Sequence, residues 1–425
     1  MSETSSGVAI SQVDDSVDPV LRDVYDEILA ESHTHPPYSI DFDYVRTLDA
    51  NKRRVFAKAY FLGKYYWEHL QSHRHLGFVF PLRTKDNLVF DPVTGSFVLG
   101  SKKKAVTTRN ERDLRTIGRI LAFNDFILRL IAEGRTKTQR EVFYSFLPSA
   151  SLSFGHQEVI KDHKITFELR REGHKKEGPI ASAEFITMME SLYGVPHEAL
   201  GIFPDETGHI FGDAELQYTY PPTFVGKSIR LDSNPNGQAI GYSLSSANIT
   251  FCNAERIIII EKESQYQQLI YNGIDKKYKA LLVHFQGTGS SAVKLLVKKL
   301  VREGRLQAYI VTDGDVWGLH IARTFIIGSV KSGHLKLAIP TAKFLGITPG
   351  DIVEYDLPSS EFDEKATSKV RALLDDPRYQ DPIWKQFLLD YQRLGKSAEL
   401  EAFSARGSNC FVDEYLPAKI EQTKI

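Results

Sequence analysis

The sequence predicts a multi-domain α/β chain, in which a winged helix-turn-helix domain precedes a domain built on a Rossmann-like parallel sheet. Three observations lead to this prediction. The chain has 425 residues, which is enough for two or three separate cores. Two helical patterns meet at a tight turn near residue 134. Beyond residue 255 the pattern becomes strand, loop and helix, repeated three times, as in parallel sheets.

Composition places the chain among ordinary globular proteins. Hydrophobic residues make up 42% and charged residues 25% of the sequence. No run approaches the roughly 18 apolar residues of a membrane span, so no membrane association is expected. The two cysteines, Cys252 and Cys410, exclude a zinc knuckle, and residues 1–10 do not resemble a secretory signal. We therefore expect an intracellular protein of the cytoplasm or nucleoid, or of the nucleus in a eukaryote.

Charge is unevenly distributed although the formal net charge is only −1. Residues 1–50 hold eleven acidic and two basic residues, and residues 1–40 are predicted to form an acidic, flexible tail with a short helix around Pro19 to Ala30. Residues 101–140 hold eleven basic and four acidic residues. Such a basic segment fits a face that binds a phosphate backbone, and it equally fits a solvated helical surface.

Residues 41–100 are predicted to form a helical and hairpin region. Apolar residues recur at helical spacing from Phe42 to about Leu70. Two short runs around the turn Asp91 to Gly95 then predict a hairpin from Val89 to Gly100.

Residues 101–195 are predicted to form the winged-helix domain. Arg112 to Ala132 has helical periodicity, and Thr136 followed by Gln139 predicts a capping box at the start of the next helix. Two short extended segments should follow, Ile165 to Arg170 and Ile180 to Glu184.

Residues 196–425 are predicted to hold the parallel sheet and C-terminal helices. Glu261, Asp313 and Asp315 each follow a buried-strand pattern, so they should meet at one edge of the sheet. Carboxylates are ligands of hard cations such as Mg²⁺. An Asp-x-Asp after a strand also suits phosphohydrolases, glycosyltransferases and receiver domains, and one member could be structural. The third carboxylate, on a different strand, favours a metal site.

Tyr144 follows Arg140 by one helical turn, so both side chains can lie on one face of a basic helix. A phenol has a pKa near 10 and becomes a good nucleophile only when a base, metal or cation favours its anion. Arg140 could favour the anion and also contact phosphate. The chain has 19 tyrosines, however, and packing is their commoner role.

Three other patterns have simpler interpretations. His69, His73 and His75 lack accompanying cysteines or carboxylates, and they indicate a solvated helix end rather than a metal site. Gly287 to Ser291 lacks the Gly-Lys-Ser/Thr ending of a phosphate-binding loop, which favours a tight strand-to-helix turn. Glu263 suits the N-terminus of a helix and is a secondary candidate ligand.

Three segments resemble motifs of one known family, that of topoisomerase VI A subunits and meiotic double-strand-break transesterases. The segment Thr136 to Tyr144 resembles the active-site helix, in which an arginine precedes two aromatics and the second aromatic is the nucleophile. The segments Ile258 to Glu263 and Val311 to Gly318 resemble the acidic motifs of the Toprim domain. The resemblance covers roughly Leu82 to Ile420.

The resemblance implies a function as well as a fold. Tyr144 would be the nucleophile on the winged helix, Arg140 would stabilise phosphate charge, and Glu261, Asp313 and Asp315 would hold Mg²⁺ in the Toprim domain. The chain would be a homodimer in which each tyrosine meets the other protomer's metal. It would cut double-stranded DNA through a 5′-phosphotyrosyl bond. A separate GHKL-type ATPase B subunit would bind ATP in an A2B2 assembly that relaxes and decatenates DNA.

Alternatives within and beyond this family stay open at this point. A transesterase that makes programmed breaks, a DNA-binding paralogue that no longer cleaves, and a hydrolytic Toprim nuclease share parts of the pattern. Three segments favour the topoisomerase: Ile326 to Ser329, Ala338 to Gly346 and Gly395 to Ile420. Val316 and the loop Gly287 to Lys294 depart from the family pattern.

Overall fold

The structure is a computed structural model that describes residues 45, 48, 50–146, 156–161, 164–169, 177–203, 208–407 and 409–423. The predicted acidic tail of residues 1–40, with its helix around Pro19 to Ala30, lies outside the described residues.

The helices account for most of the secondary structure. No described helix is long and apolar enough to cross a membrane. The α-helices are α1 (Ala50–Gln71), α2 (Glu111–Ala132), α3 (Gln139–Phe146), α4 (Glu177–Tyr193), α5 (Tyr242–Ser246), α6 (Glu263–Tyr271), α7 (Ile274–Lys277), α8 (Ser291–Glu303), α9 (Val316–Ile327), α10 (Pro349–Glu354), α11 (Glu364–Leu374), α12 (Pro382–Leu394) and α13 (Leu416–Gln422). Short 3₁₀ segments and one π-helical segment connect them: Lys85–Asn87, Pro222–Phe224, Gly333–Leu335, Pro377–Tyr379, Leu400–Arg406 and the π-helix Cys410–Tyr415.

The strands are mostly short. They are β1 (Gly77–Pro81), β2 (Leu88–Asp91), β3 (Ser96–Leu99), β4 (Lys103–Thr107), β5 (Lys137–Thr138), β6 (His156–Lys161), β7 (Lys164–Leu169), β8 (Ile202–Phe203), β9 (Gly208–Phe211), β10 (Ala214–Gln217), β11 (Ser228–Arg230), β12 (Gln238–Ala239), β13 (Asn248–Cys252), β14 (Arg256–Ile260), β15 (Ala280–Phe285), β16 (Gln307–Val311), β17 (Lys343–Gly346), β18 (Ser360–Glu361) and β19 (Lys396–Ser397).

The chain divides into two compact units. The first unit comprises Met1–Leu82 and Ser101–Asp205, and the second comprises Arg83–Gly100 and Glu206–Ile425. The chain therefore leaves the first unit to contribute the β2–β3 hairpin to the second, then returns. The predicted domain limits at residues 40, 100 and 195 stay a prediction.

The core of the first unit lies between α1 and α2. Helical spacing places Phe56 and Ala59 of α1, and Ile120 and Phe123 of α2, in this core with no exposed surface. The buried Asn124 amide donates to the Ala59 carbonyl at 2.9 Å, so its polar group is satisfied. The helix predicted from Phe42 to Leu70 is thus confirmed from Ala50 onward as α1, whereas Leu48 lies in a bend before it.

The turn between α2 and α3 corrects one prediction. The capping box uses Thr138 and Glu141, not Thr136 and Gln139: Glu141 N donates to Thr138 Oγ1 at 3.2 Å, and Thr138 N donates to Glu141 Oε2 at 2.7 Å. The reason is that Lys137 and Thr138 pair with β8 as the strand β5, which delays the start of the helix.

The prediction of an extended segment from Ile180 to Glu184 is wrong, because these residues lie within the helix α4. Phe185, Ile186, Met189 and Tyr193 are buried at helical spacing on this element. A short apolar run fits a strand or a buried helix equally, and tertiary packing decides between them. The other extended segment is confirmed as β7, which pairs with β6 in an antiparallel hairpin.

The second unit is built on a six-stranded sheet of order β12-β9-β15-β14-β16-β17. β14 pairs in parallel with both β15 and β16, and β17 pairs in parallel with β16. β9 pairs antiparallel with both β15 and β12. All six residues of β15 are buried, since helices cover both faces of such a sheet. The predicted parallel core is confirmed. The antiparallel edge strands have no counterpart in the sequence prediction.

Two outlying segments belong to the second unit. The predicted hairpin is confirmed as β2 and β3, which pair antiparallel from Leu88 with Leu99 to Asp91 with Ser96. Near the C-terminus, Ala398 and Gly314 exchange backbone hydrogen bonds of 3.0 and 2.8 Å. This bridge ties the segment after α12 to the loop that follows β16.

Candidate functional site

The three predicted carboxylates lie at the carboxyl edge of the central strands. Glu261 directly follows β14, and Asp313 and Asp315 lie between β16 and α9. Because β14 and β16 are parallel neighbours in register from Arg256 and Gln307 onward, their ends meet at one edge. We call Glu261, Asp313 and Asp315 the carboxylate edge.

Glu261 links the two strand ends. Its backbone N–H donates to the Val311 carbonyl at 3.2 Å, and its Oε2 accepts from the Asp313 backbone N–H at 3.2 Å. Burial, and after it the negative charge of Asp313, raises the pKa of Glu261 from its ordinary 4.5 to about 7. Without a cation, this carboxyl is therefore only partly ionised near neutral pH.

Asp313 is fixed from a distant part of the sequence. Its Oδ1 accepts from the backbone N–H of Leu400 at 2.9 Å, and its other oxygen, Oδ2, lies 3.4 Å from Lys262 Nζ. Burial raises the pKa of Asp313 in spite of these two partners. The Ala398–Gly314 bridge holds Leu400 in place for this contact.

Asp315 is the N-cap of α9. Its Oδ1 accepts from the backbone N–H of Gly318 at 2.6 Å, which satisfies a helix N-terminal donor. Glycine is required at position 318, because a Cβ there would lie 2.2 Å from the Asp313 carbonyl oxygen. Burial raises the pKa of Asp315 as well. One oxygen is thus committed to the helix.

Sequence reasoning missed a cation and two carboxylates beside this edge. The Lys262 ammonium lies 3.4 Å from Asp313 Oδ2, 3.4 Å from Glu399 Oε2 and 3.7 Å from Glu401 Oε2. Lys262 could have been noticed, since it follows Glu261 directly. Glu399 and Glu401 could not, because their approach depends on the folding of the C-terminal segment.

The donor set of the carboxylate edge suits a hard cation. Each carboxylate accepts a backbone N–H with one oxygen, and the raised pKa values show that their negative charge is poorly compensated. Mg²⁺ usually takes one or two protein carboxylates and completes its shell with water and substrate phosphate, so a tight protein cage is unnecessary. Glu263 begins α6 as an exposed first-turn residue and stays a secondary candidate.

Among the described residues, a different trio has the tightest arrangement of metal-ligand atoms. One ligand atom from each of Glu190, His197 and Glu198 lies within 4.8 Å of the others. Sequence reasoning did not single out these residues, which lie in the first unit. The three histidines that it did consider show no such grouping: His69 Nδ1 lies 2.8 Å from the Tyr65 carbonyl oxygen of its own helix.

Tyr144 and Arg140 lie on the exposed side of α3 in the first unit. Tyr144 is 62% exposed, and Arg140 one turn earlier is exposed too. The ring of Phe143 packs edge-on against Tyr144 with centroids 5.2 Å apart. The phenol is therefore accessible to a large ligand, on the same unit as the arginine predicted to assist it.

The helix that carries Tyr144 is anchored on its opposite side. Val142 is fully buried and Phe146 is 6% exposed, and Phe146 stacks on Phe123 of α2 at 6.3 Å. At the N-terminus, hydrogen bonds from Thr138 lower the pKa of Glu141 and keep the capping carboxylate ionised. An eight-residue helix is marginal alone, so these anchors set the direction of Tyr144.

The glycine-rich loop after β15 is a tight strand-to-helix turn, as the sequence indicates. Ser290 caps α8 by accepting from Val293 N at 3.4 Å. Gly289 has φ +71, and a Cβ there would lie 2.7 Å from the Phe325 ring. Lys294 Nζ lies 4.9 Å from the centroid of that ring, and burial lowers its pKa to about 8.

Comparison with known proteins agrees with this architecture. Residues 256–420 match the family model for the Toprim domain shared by Spo11 and the A subunit of topoisomerase 6. The chain is 31% identical over 348 residues to the A subunit of type 2 DNA topoisomerase 6 from Methanothermobacter thermautotrophicus, covering 80% of this chain and 90% of that protein. It is 28% identical to the corresponding proteins of Methanosarcina barkeri and Halobacterium salinarum, covering 80% of this chain and 88% and 89% of those proteins.

Proposed function

The chain belongs to the family of type 2 DNA topoisomerase 6 A subunits, an enzyme family, and we propose that it is the DNA-cleaving component of an ATP-dependent type IIB topoisomerase. The observation that carries the proposal is the gathering of Glu261, Asp313 and Asp315 at one edge of the Toprim sheet. Each of these carboxylates accepts a backbone N–H that fixes its position, and the second oxygen of Asp313 lies 3.4 Å from Lys262 Nζ. Relaxation and decatenation of DNA are part of this proposal, which the topoisomerase name of all three relatives supports.

Tyr144 performs the covalent step in this proposal. Its phenolic oxygen attacks a backbone phosphorus and forms a bond to the 5′-phosphate, while the bond from phosphorus to the 3′ oxygen breaks. The phenol loses its proton to solvent, and the departing 3′ oxygen takes one up. Arg140 lies one turn away, where its guanidinium contacts the phosphate and favours the phenolate. The reverse attack by the 3′ hydroxyl reseals the strand.

The carboxylates Glu261, Asp313 and Asp315 would hold Mg²⁺, which supplies charge stabilisation for the phosphoryl oxygens. The chain's own contribution is orientation. Asp313 is held by Leu400 N, and Asp315 by α9. Lys262 offsets part of the negative charge before DNA and metal arrive.

The partners proposed are double-stranded DNA, a second copy of the chain and a GHKL-type ATPase in an A2B2 assembly. Residues 101–195 would act as the winged helix that seats the DNA, with α2 and α3 as the helix-turn-helix and β6 and β7 as the wing. The eleven basic residues between 101 and 140 supply charge for this contact.

A covalent-adduct assay tests the proposal. The chain, with its ATPase partner, is incubated with end-labelled duplex DNA and Mg²⁺, denatured, and examined for protein-linked 5′ ends. Tyr144→Phe should abolish the adduct and leave DNA binding unchanged. Tyr271→Phe is the matched control, since Tyr271 is 72% exposed and has no proposed role. An adduct that persists in Tyr144→Phe contradicts the assignment. Cleavage without any protein-linked end would point to a hydrolytic nuclease.

A mixing experiment tests the proposed homodimer, in which Tyr144 of one protomer serves the carboxylates of its partner. Tyr144→Phe chains and Asp313→Asn chains are each inactive as homodimers under this proposal. Their heterodimer retains one complete site and should nick a single strand. Complete inactivity of the mixed dimer, with dimer formation verified by size, would contradict the shared site.

A further inference from the structure

A second cluster of metal-ligating side chains lies in the first unit, outside the site described above. It is formed by Glu190 near the end of α4 and by His197 and Glu198 in the turn before β8. Their side chains are 5%, 12% and 1% exposed, respectively. One ligand atom from each lies within 4.8 Å of the other two. Carboxylates on a protein surface often cluster without function, but these are buried.

The orientation of His197 is fixed from one side. Its Nδ1 lies 2.6 Å from Glu190 Oε1, and the same oxygen accepts from the His197 backbone N–H at 2.9 Å. When Nδ1 donates to this carboxylate and the ring is neutral, Nε2 carries the lone pair that a metal ion needs, and the ion then replaces the proton that Nε2 would otherwise hold. Histidines that ligate metals are characteristically held in this way, with a carboxylate on the remote ring nitrogen.

The other ring nitrogen faces a second carboxylate. His197 Nε2 lies 3.7 Å from Glu198 Oε1. Neither oxygen of Glu198 accepts a hydrogen bond from another described residue, although the side chain is almost fully buried. Leaving an ionised carboxylate buried without a hydrogen bond is strongly unfavourable, so the site requires positive charge, either as a bound metal ion or as a proton on His197 or Glu198. Burial raises the pKa of Glu198 accordingly.

A third element reaches the same nitrogen. The side-chain nitrogen of Gln139, the first residue of α3, lies 3.1 Å from His197 Nε2. The two ends of a glutamine amide are assigned from their surroundings, and a rotated amide would present its oxygen to the same point. That point then has an imidazole nitrogen, carboxylate oxygens and an amide oxygen around it.

We propose that His197 Nε2 and Glu198, together with the Gln139 amide, form a binding site for a divalent transition-metal ion of the Zn²⁺ class, with Glu190 orienting the imidazole from its other ring nitrogen. An imidazole with carboxylate oxygens is a typical ligand set for Zn²⁺, whereas Mg²⁺ favours oxygen ligands alone and keeps its water. The ion joins the turn before β8 to the start of α3. It is a structural site, because its ligands are buried, and it fixes the N-terminus of the helix that carries Arg140 and Tyr144.

Metal binding to the full chain tests this site directly. A Glu261→Gln, Asp313→Asn background removes two carboxylates of the other candidate site. After treatment with a chelator, this protein is titrated with Zn²⁺ by calorimetry, and Mg²⁺ is tested as a competitor. We expect about one Zn²⁺ per chain, no displacement by millimolar Mg²⁺, and a rise in unfolding temperature on binding.

Matched variants identify the ligands. Glu198→Gln keeps the shape of the side chain and should weaken Zn²⁺ binding at least about tenfold. Glu184→Gln is the control, since Glu184 is an exposed residue of the same helix as Glu190. Unchanged Zn²⁺ affinity in Glu198→Gln, or absence of Zn²⁺ binding in the parent, overturns the proposal.

Cobalt substitution guards against misfolding of a variant. Co²⁺ bound to the unmutated chain should give a visible absorption spectrum typical of nitrogen and oxygen ligands in a four- or five-coordinate site. A spectrum of six-coordinate aquated Co²⁺ in the unmutated chain also overturns the proposal. Neither readout depends on DNA cleavage, so failure of the proposed enzymatic function would leave this test intact.

Discussion

The carboxylate edge and the helix that carries Tyr144 are organised over different distances along the chain. Asp313 and Leu400 are 87 positions apart, and Glu261 and Asp313 are 52 positions apart, yet hydrogen bonds connect both pairs. The Tyr144 helix is capped by Thr138 and Glu141, three positions apart. The carboxylates of the first region are half-buried and have raised pKa values, whereas the phenol of Tyr144 is 62% exposed. A metal site requires a rigid scaffold, and a nucleophile that must reach DNA requires access.

The largest difference between the two regions should come from removing a charge at the carboxylate edge. Asp313→Asn removes the charge but can still accept from Leu400 N, so the fold should be retained. Adduct formation should fall about a hundred- to a thousandfold, as when one stabilising group is lost from an active site. Quantified protein-linked DNA measures this. Glu361→Gln, an exposed residue of the same unit, is the control; equal activity of the Asp313 variant and parent would remove Asp313 from the site.

The second effect concerns stability and pH. The folded state raises the pKa of Glu261 from 4.5 to about 7, so it binds this proton more tightly than the unfolded chain. In the absence of Mg²⁺, the free energy of unfolding should therefore fall as pH rises from about 5 to 8. Glu261→Gln should be more stable than the parent at pH 8 by on the order of 2 kcal/mol, and nearly equal to it below pH 5.

Chemical denaturation at both pH values, with and without Mg²⁺, measures this difference. Saturating Mg²⁺ should stabilise the parent more than Glu261→Gln at pH 8. Identical pH dependence of the free energy of unfolding in the two proteins would show that the pKa of Glu261 is not raised by folding.

A smaller effect separates the two roles of Asp315. Asp315→Ala removes the N-cap of α9 and should cost about 1 kcal/mol of unfolding free energy. Asp315→Asn can still accept from Gly318 N, so it should retain most of that stability while losing the charge. Thermal unfolding measures the contribution of Asp315 as a helix cap, and adduct formation measures its contribution as a metal ligand. Equal stability of the two variants would show that the cap contributes nothing.

The smallest effect tests the local organisation of the Tyr144 helix. Thr138→Ala breaks the capping box and should cost about 0.5 to 1 kcal/mol, with a severalfold loss of adduct. Thr136→Ala is the matched control, because the structure places the cap two residues later than the sequence pattern indicates. Denaturant titrations and adduct yields distinguish them. A larger loss of stability in Thr136→Ala than in Thr138→Ala would show that Thr136, as the sequence predicted, is the capping residue.

The carboxylate edge was predictable because it rests on a periodic signal. The β-branched residues of runs such as Ile257 to Ile260 and the helix that follows favour parallel strands, and acidic residues that come just after two of these runs fall at one edge. The structure confirms the parallel pairing of β14 with β15 and β16. Lys262 adjoins Glu261 in the sequence, whereas Glu399 and Leu400 N were not predictable as neighbours of this edge. Their approach depends on a bridge between Gly314 and Ala398 that has no local sequence signal.

The first unit was less predictable because its signals compete. Ile180 to Glu184 suits a strand by composition, but packing of Phe185 and Met189 holds it in a helix. The capping box lies two residues later than predicted because β5 pairs with β8, a contact that no local pattern reveals. The role of Tyr144 rests on family resemblance, since an exposed tyrosine has many ordinary explanations. Glu190, His197 and Glu198 meet only through tertiary folding.

The hydrogen bond from Leu400 N to Asp313 also has a consequence for biosynthesis. Ribosomes add about 5 to 20 residues per second, so roughly 5 to 20 seconds separate the synthesis of Asp313 from that of Leu400, 87 positions later. During that interval a nascent chain already contains its tyrosine, but Asp313 lacks the group that orients it. Translation order thus delays the orientation of Asp313 until Leu400 has been synthesised.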